Sequence, residues 1–395
     1  MHGKWLVIGA VAATVGADAA GAQAVAFYGR LYPEVVWARM SGATPSGAAV
    51  STLAAKPTGE GFSNVVKMDS SNSRFGIRGD EPLGGGLKAF FQIEQDVLVD
   101  TGGSLTATRD TFVGLDSERL GEIKLGRFDT VYKEIGDTLS FLGVSSGNFV
   151  SNSNVLSKQG FGSSSAGSFH LRRANSLRYT SPDYRGLQAL VQYSPDEARR
   201  TSRNAYLWSI GATYRNGPFY GALAYELHND TFGGSRNVPS ALSNTSDPNA
   251  RARDTAVRAT IEYRFGSHTI EGNLAEMRYR ERGGQTGRFE SYRHTSGSVG
   301  VVSRWGGAWR TAVAYIHAGE GSCRLFDDVP CSTDGLEGNQ VSLGAAYYFS
   351  RRTYVFALYA KLWNGASAQY NNVDGIDVAP GADLQQLALG ITHNF

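Results

Sequence analysis

Short stretches in which apolar and polar residues alternate recur along the chain from about Phe27 to its end. In one of them, Val257, Ala259 and Ile261 alternate with Arg258 and Glu262. A period of two is that of a β-strand whose two faces meet different surroundings. Charged side chains are too costly to face lipid or a dry core, so we expect the polar face to meet water. The pattern predicts an all-β protein.

Two segments near the end of the chain show the same alternation with a strongly apolar face. Tyr354, Phe356 and Leu358 share one face, and Leu387 and Leu389 share another. We expect these faces to meet hydrocarbon. Aromatic residues near segment ends are expected in girdles at the two membrane interfaces: Tyr28, Trp208, Tyr225, Tyr347, Phe349 and Trp363.

The connections distinguish a barrel from a soluble sandwich, which also alternates. Short turns such as Asn216-Gly217-Pro218 and Ser350-Arg351-Arg352 contrast with long polar loops such as Asp230–Arg253 and Gly365–Gly381. Bacterial outer-membrane barrels combine short periplasmic turns with long extracellular loops and have an even number of strands. The chain is long enough for about sixteen strands of 9–11 residues. We therefore predict one transmembrane antiparallel up-and-down β-barrel over residues 25–395.

The first residues have the composition of a secretory signal. His2 and Lys4 precede an apolar run, Trp5–Val15, and Ala22-Gln23-Ala24 has the small-x-small pattern of a cleavage site. A membrane anchor is the alternative, but the run is shorter than the roughly 20 residues of a spanning helix. Residues 1–24 are predicted to be a signal peptide.

Charge and cysteine content narrow the possible partners. The 38 Lys and Arg residues nearly balance 36 Asp and Glu residues, and the charges are dispersed, so no nucleic-acid partner is indicated. The 49 glycines, 19 tyrosines and 19 phenylalanines suit short strands and tight turns. In an oxidising compartment the two cysteines, Cys323 and Cys331, are expected to form a local disulfide.

Catalytic and metal-binding motifs are not found. The seven histidines are scattered without an H-E-x-x-H pattern, and Gly162-Ser163-Ser164-Ser165 is not a nucleophile elbow. No spacing identifies a Ca²⁺ site, and no cofactor is predicted. An outer-membrane barrel hydrolase remains the enzyme alternative, and a solute-specific channel or an adhesin remains the alternative on the same barrel.

Several stretches resemble the general diffusion porins of Gram-negative bacteria, most closely the β-proteobacterial type. They are Ser73–Glu81, Leu83–Glu94, Phe112–Leu115, Leu120–Arg127, Asn175–Pro182 and the terminal Phe395. The resemblance implies an outer-membrane homotrimer in contact with lipid and lipopolysaccharide, which passes ions and small hydrophilic solutes. It also implies a third extracellular loop that folds into each pore, which we map to about residues 129–175.

A basic wall is predicted at the constriction. Alternation places Arg74 and Arg78 opposite outward Phe75 and Ile77, and it turns Arg178 inwards in the same way. Arg127 shares parity with an outward leucine, so its inward position rests on the resemblance and on a bend at Gly126.

Two acidic residues of the loop, Glu134 and Asp137, are expected to face this wall across water. Such opposed charges would produce a transverse field in the pore. Direct ion pairs that only hold the loop in place are the alternative. Because the assigned arginines outnumber the assigned acids, the sequence predicts weak anion preference.

Overall fold

The computed structural model describes residues 24–61, 64–70, 72–103, 108–140, 148–196 and 203–395. The predicted signal segment therefore lies outside the described residues except for Ala24, where the first strand begins. The strand segments are β1 Ala24–Leu31, β2 Glu34–Ser41, β3 Val65–Asp69, β4 Arg74–Gly84, β5 Leu87–Asp96, β6 Thr108–Ser117, β7 Gly121–Asp129, β8 Arg172–Thr180, β9 Leu187–Pro195, β10 Tyr206–Asn216, β11 Phe219–Asn229, β12 Arg251–Phe265, β13 His268–Arg282, β14 Phe289–Trp305, β15 Trp309–Ala318, β16 Ser322–Leu325, β17 Gly338–Tyr348, β18 Thr353–Asn364 and β19 Asp383–Asn394. The helices are α1 Val131–Gly136 and α2 Ser153–Leu156, with single 3₁₀ turns at Ser165–Gly167, Ser240–Leu242 and Phe326–Asp328.

These segments form sixteen barrel strands. Strands β1 and β2 are two halves of the first barrel strand, separated at Tyr32 and Pro33, where proline has no N–H to donate. Their separate partners, β4 and β3, are the two halves of the next one. Strand β16 continues β15 beside the far part of β14. The prediction of an antiparallel barrel of about sixteen strands is confirmed.

The barrel closes between the first and last strands. Strand β19 pairs with both β1 and β2, and the backbone N–H groups of Gly29 and Phe395 each donate to the other residue's carbonyl at 3.1 Å. Closure matters because hydrocarbon has no partners for the polar groups of a sheet edge. In the described part of the chain, no helix has the length and apolar character of a membrane span.

Strand β12 turns its apolar face outwards as predicted, whereas β18 does not. On β12, Val257 and Ile261 are 44% and 57% exposed, whereas Arg258 on the other face is 2% exposed. On β18 the apolar face lies inside instead: Tyr354 and Phe356 are buried in a cluster that also contains loop residues. The expectation that this apolar face meets hydrocarbon is wrong, because the inserted loop gives it apolar partners inside the barrel.

Among the residues predicted for the aromatic girdle, two are exposed on the outer surface and one faces the lumen. Phe349 is 64% exposed and Trp208 is 36% exposed on the outer surface. Tyr28 faces inwards, and its hydroxyl donates to Glu94 Oε2 at 2.9 Å. Tyr28 belongs to the lumen because it shares the face of Arg30 and not that of Phe27.

The segment after β7 runs along the inner wall. Helix α1 packs against β9 to β12, and the Tyr132 N–H donates to Ser209 Oγ at 2.9 Å. Helix α2 packs against β14, β15 and β17, and Ser296 Oγ donates to the Leu156 carbonyl at 2.6 Å. Residues 141–147 of the predicted loop lie outside the described part of the chain. The described parts of the loop therefore occupy the lumen.

Candidate functional site: the lumen at the inserted loop

The loop's acidic residues are positioned by the short helix α1. Thr130 begins the helix by accepting a hydrogen bond from the Lys133 N–H, and Asp137 follows its last residue. One turn of helix separates Glu134 from Asp137, so the two carboxylates reach different parts of the barrel wall. The helix thus distributes its charges over two clusters.

The first cluster joins Glu134 to Arg178 of β8. Arg178 Nη1 lies 2.5 Å from Glu134 Oε2, and its Nη2 donates to the Asp129 carbonyl. Gln192 Oε1 accepts from Arg178 Nη2 at 3.1 Å, and the guanidinium stacks on the ring of Phe128 at 5.0 Å. Arg178 is 1% exposed. This arginine is saturated with partners and fixes the start of the loop.

The second cluster joins Asp137 to Arg258 of β12. Arg258 Nη1 lies 3.1 Å from Asp137 Oδ1, Nη2 donates to the Gly136 carbonyl at 2.5 Å, and Nε donates to Asn273 Oδ1 at 2.9 Å. His170, from the returning part of the loop, lies 2.5 Å from Asp137 Oδ2. Asp137 therefore connects both arms of the loop to the barrel wall.

The protonation states of this cluster follow from its burial. Burial lowers the pKa of His170, so at neutral pH we assign a neutral imidazole that donates a hydrogen bond to Asp137. Burial alone would raise the pKa of the Asp137 carboxyl, but His170, through its charge when it is protonated in acid and through its hydrogen bond, and the Arg258 charge outweigh it. They hold the pKa of Asp137 at about 2, and Asp137 is ionised under ordinary conditions.

We expect the anchoring at Asp137 to fail only in strong acid. A carboxyl with a depressed pKa stabilises the folded state above its ordinary pKa of 3.8, and this contribution is lost as the pH falls through about 2. Open-channel current noise in a planar bilayer should therefore stay constant from about pH 7 to about pH 4 and rise between about pH 4 and pH 2. Asp137→Asn should be noisy at every pH. Equal pH profiles for the two proteins would contradict the assignment.

A third cluster surrounds Arg74 of the predicted basic wall. Arg74 Nε lies 3.5 Å from Glu94 Oε2, and Arg109 lies 2.6 Å from Glu94 and 2.8 Å from Asp96. Antiparallel pairing also sets Arg74 directly opposite Arg30. Glu94 compensates this pair of like charges, which would otherwise oppose strand pairing.

Arg78 and Arg127 have different surroundings. Arg78 is exposed on the inward face of β4, with its guanidinium 5.1 Å from the ring centre of Tyr28. Arg127 pairs with Thr111, on the face that alternation turns outwards. Phe128 shares the parity of the buried, inward Lys124, so Phe128 faces the lumen and Arg127 does not. The bend expected at Gly126 does not reverse this alternation, because the β6–β7 register is unbroken through Arg127. The structure does not bring Arg127 together with the other three arginines.

The loop acids do not face the arginines across water. Glu134 and Asp137 each form a direct ion pair, as in the alternative considered from the sequence. Sequence reasoning did not assign Arg258, Arg109 or His170 to the site. Alternation had already placed Arg258 on the polar face, but its partner is 121 positions away in the chain and no local pattern indicates it.

A cavity of about 830 Å³ lies between the loop and the wall on the other side from α1. Lys158, next to α2, lines it together with Asp96 and Arg109. Burial lowers the pKa of Lys158, and among the described residues Lys158 forms no ion pair. It is a lumen cation that the sequence did not single out.

Cys323 and Cys331 are joined by a disulfide. Cys323 lies in β16 and Cys331 in the coil after it. The bond ties the extension of the β15 strand to the connection before β17. No contact relates it to the ion-pair clusters in the part of the chain that the structure describes.

Comparison with known proteins decides the family. The profile of the Gram-negative porins matches residues 9–367. The chain belongs to this family. It is 28% identical over 307 residues to the major outer membrane protein P.IB of Neisseria meningitidis serogroup B / serotype 15, covering 71% of this chain and 73% of that protein. It is 25% identical over 359 residues to protein P.IA of N. meningitidis serogroup C, covering 84% of each.

Solved structures show the same fold. The anion-selective porin from Comamonas acidovorans superimposes with a TM-score of 0.69 at 21% identity, over 95% of this chain and 100% of that one. The trimer form of OmpT from Vibrio cholerae gives 0.61 at 15% identity, over 95% and 100%. The family and the barrel together identify an outer-membrane porin, as the sequence predicted.

Proposed function

We propose that this porin is a passive, water-filled channel for small hydrophilic solutes that conducts anions in preference to cations. One observation supports the preference: both loop acids are neutralised by direct ion pairs, whereas some lumen arginines have no carboxylate partner. Among the described residues, Arg78, Arg304 and Arg310 form no ion pair. The solved porin from C. acidovorans is named as anion-selective, which agrees with the proposal.

The proposal also covers assembly and export. We propose a homotrimer in contact with lipid and lipopolysaccharide, and cleavage of residues 1–24 during export. The trimer form of the V. cholerae relative supports the first part. Strand β1 begins at Ala24, which is compatible with a mature chain that starts near this residue. No catalytic role is proposed for any residue.

Replacing Arg78 by glutamine should reduce the anion preference. A unit charge about 8 Å from a passing ion in water changes its energy by roughly 0.5 kcal/mol, about a twofold change in relative permeability. The reversal potential across a bilayer in a salt gradient measures this ratio. We expect a permeability ratio above one in the unmodified protein and a ratio about twofold lower in Arg78→Gln.

Arg39→Gln provides the matched control, because Arg39 shares the outward face of β2 with Trp37. It should leave the reversal potential unchanged. A cation-preferring unmodified channel would overturn the proposed selectivity. Equal shifts in the two variants would show that net charge, and not charge in the lumen, determines it.

A further inference from the structure

The end of the barrel that carries the short turns contains a second basic cluster, on a cavity that residues 138–140 of the loop also line. A cavity of about 590 Å³ is lined there by Arg30, Arg264, Arg304, Arg310 and Arg351. The turn between β12 and β13, at Gly266 and Ser267, also lines it. We call this group of five arginines the arginine pocket.

Strand register places two members of the pocket in an unfavourable arrangement. Arg304 of β14 and Arg310 of β15 are direct antiparallel partners, and both lie on the inward face, since Val299 and Val313 are the exposed outward residues. Like charges directly opposite each other weaken strand pairing. Arg30 and Arg74 are also direct antiparallel partners, but there Glu94 lies beside Arg74 and compensates the like charges.

In the described part of the chain, no carboxylate pairs with Arg304 or Arg310. The guanidinium of Arg310 instead lies 4.2 Å from the ring centre of Tyr348. Glu262 is the carboxylate among the cavity's lining residues, and it pairs with Arg264 at 2.8 Å. The pocket therefore has a large surplus of positive charge in a confined space.

The ligand chemistry follows from the guanidinium groups. Arginine presents a planar fork of donors that matches a carboxylate or a phosphate in two parallel hydrogen bonds. A cavity of this size admits a small organic ion, and two opposed arginines favour two negative charges over one. We propose that the arginine pocket is a saturable binding site for small dianions bearing carboxylate or phosphate groups.

This inference deepens the proposed anion channel and rests on it. A dianion held at the short-turn end would occupy the diffusion path and reduce the chloride current. Such a site would make the channel selective for one class of solutes. This is close to the solute-specific channel that the sequence left open as an alternative. If the arginines only attracted anions without binding them, the reduction of the current would not saturate as the dianion concentration rises.

The test compares Arg304→Gln/Arg310→Gln with a matched control, Arg215→Gln. Arg215 also faces the lumen near a short turn and also stacks on a tyrosine, Tyr220, at 4.7 Å. It is not part of the arginine pocket. Sodium succinate and sodium phosphate are the probes, titrated into chloride-filled bilayer channels and, independently, into detergent-solubilised protein in a calorimeter.

We expect saturable reduction of the current in the unmodified protein and in Arg215→Gln, with roughly tenfold weaker binding in the double glutamine variant. Saturation by either dianion supports the site, and the tighter-binding one shows whether carboxylate or phosphate is preferred. Arg304→Lys/Arg310→Lys keeps the charge and should restore part of the affinity, which separates loss of the site from misfolding.

The inference is overturned if the current falls without saturation, or if both glutamine variants bind equally. Calorimetric binding without any conductance would contradict the proposed channel and leave the site intact. Conductance without dianion binding would contradict the proposed site and leave the proposed channel intact. The two failures are therefore distinguishable.

Discussion

Replacing Arg258 by alanine is expected to release the loop around α1 from the wall of the barrel. Removing one partner of a buried ion pair leaves the other charge uncompensated, at a cost of about 3–5 kcal/mol. Here Asp137 would remain buried beside a neutral His170, and the Gly136 carbonyl would lose its donor. Because α1 is only six residues long, its order depends on such contacts.

Hydrogen exchange measures this release directly. The amides of residues 131–140 should exchange roughly a hundredfold faster or more in Arg258→Ala, while those of β12 keep their protection. Single-channel recordings should show noisier currents, since the loop lies in the lumen. Unchanged exchange at α1 would show that its apolar contacts with the wall hold it without the ion pair.

Two further variants separate the ion pair from general damage. Arg264→Ala removes a lumen arginine of the same strand, β12, which pairs with Glu262 and not with the loop, and α1 should keep its protection. Asp137→Asn combined with Arg258→Ala should cost less than the sum of the single changes, because no uncompensated charge remains. Additive effects would indicate that the two residues act independently.

Much of the barrel could be predicted because membrane strands obey a simple rule. Alternation gave the number of strands and the turn at Asn216, Gly217 and Pro218, which lies between β10 and β11 as expected. It also assigned Arg258 to the polar face. These are local properties, determined by neighbours one or two positions away in the chain.

The exceptions arise where a face meets something other than lipid or water. The apolar residues of β18 point inwards because the loop brings Phe149 and Val155 to them. Alternation distinguishes the two faces of a strand but does not say which of them is outside. Only the position of the loop decides this, and that position depends on contacts distant in sequence.

The charge clusters could be predicted only in part for the same reason. Arg74, Arg78 and Arg178 were recognisable as lumen residues, whereas the pairing of Arg74 and Arg178 with their carboxylates was not. Arg178 and Glu134 are 44 positions apart, and Arg258 and Asp137 are 121 apart. The same residues could produce a field between separated charges or form direct ion pairs. The sequence does not distinguish these two arrangements, so the three-dimensional structure was required.

Strand β7 has a local backbone irregularity at Gly126, shortly before the loop begins. Gly126 has φ of 145°, a conformation that residues with a Cβ rarely adopt. A Cβ there would lie only 2.2 Å from the backbone oxygen of Thr111 on β6. Phe128, two residues later, keeps the inward parity of Lys124. Lys124 and Arg178 both stack on its ring.

Gly126→Ala should therefore destabilise the barrel strongly for so small a change. The backbone strain costs about 1–3 kcal/mol and the forced contact a further 1–3 kcal/mol, because a neighbouring strand cannot move aside as a side chain can. Gly272→Ala is the control: Gly272 lies within β13 and its nearest atom to an added Cβ is 4.0 Å away. The temperature at which the folded, fast-migrating form is lost on a gel should fall by several degrees for Gly126→Ala and hardly at all for Gly272→Ala. Equal temperatures would mean that β6 and β7 can pair without the irregularity.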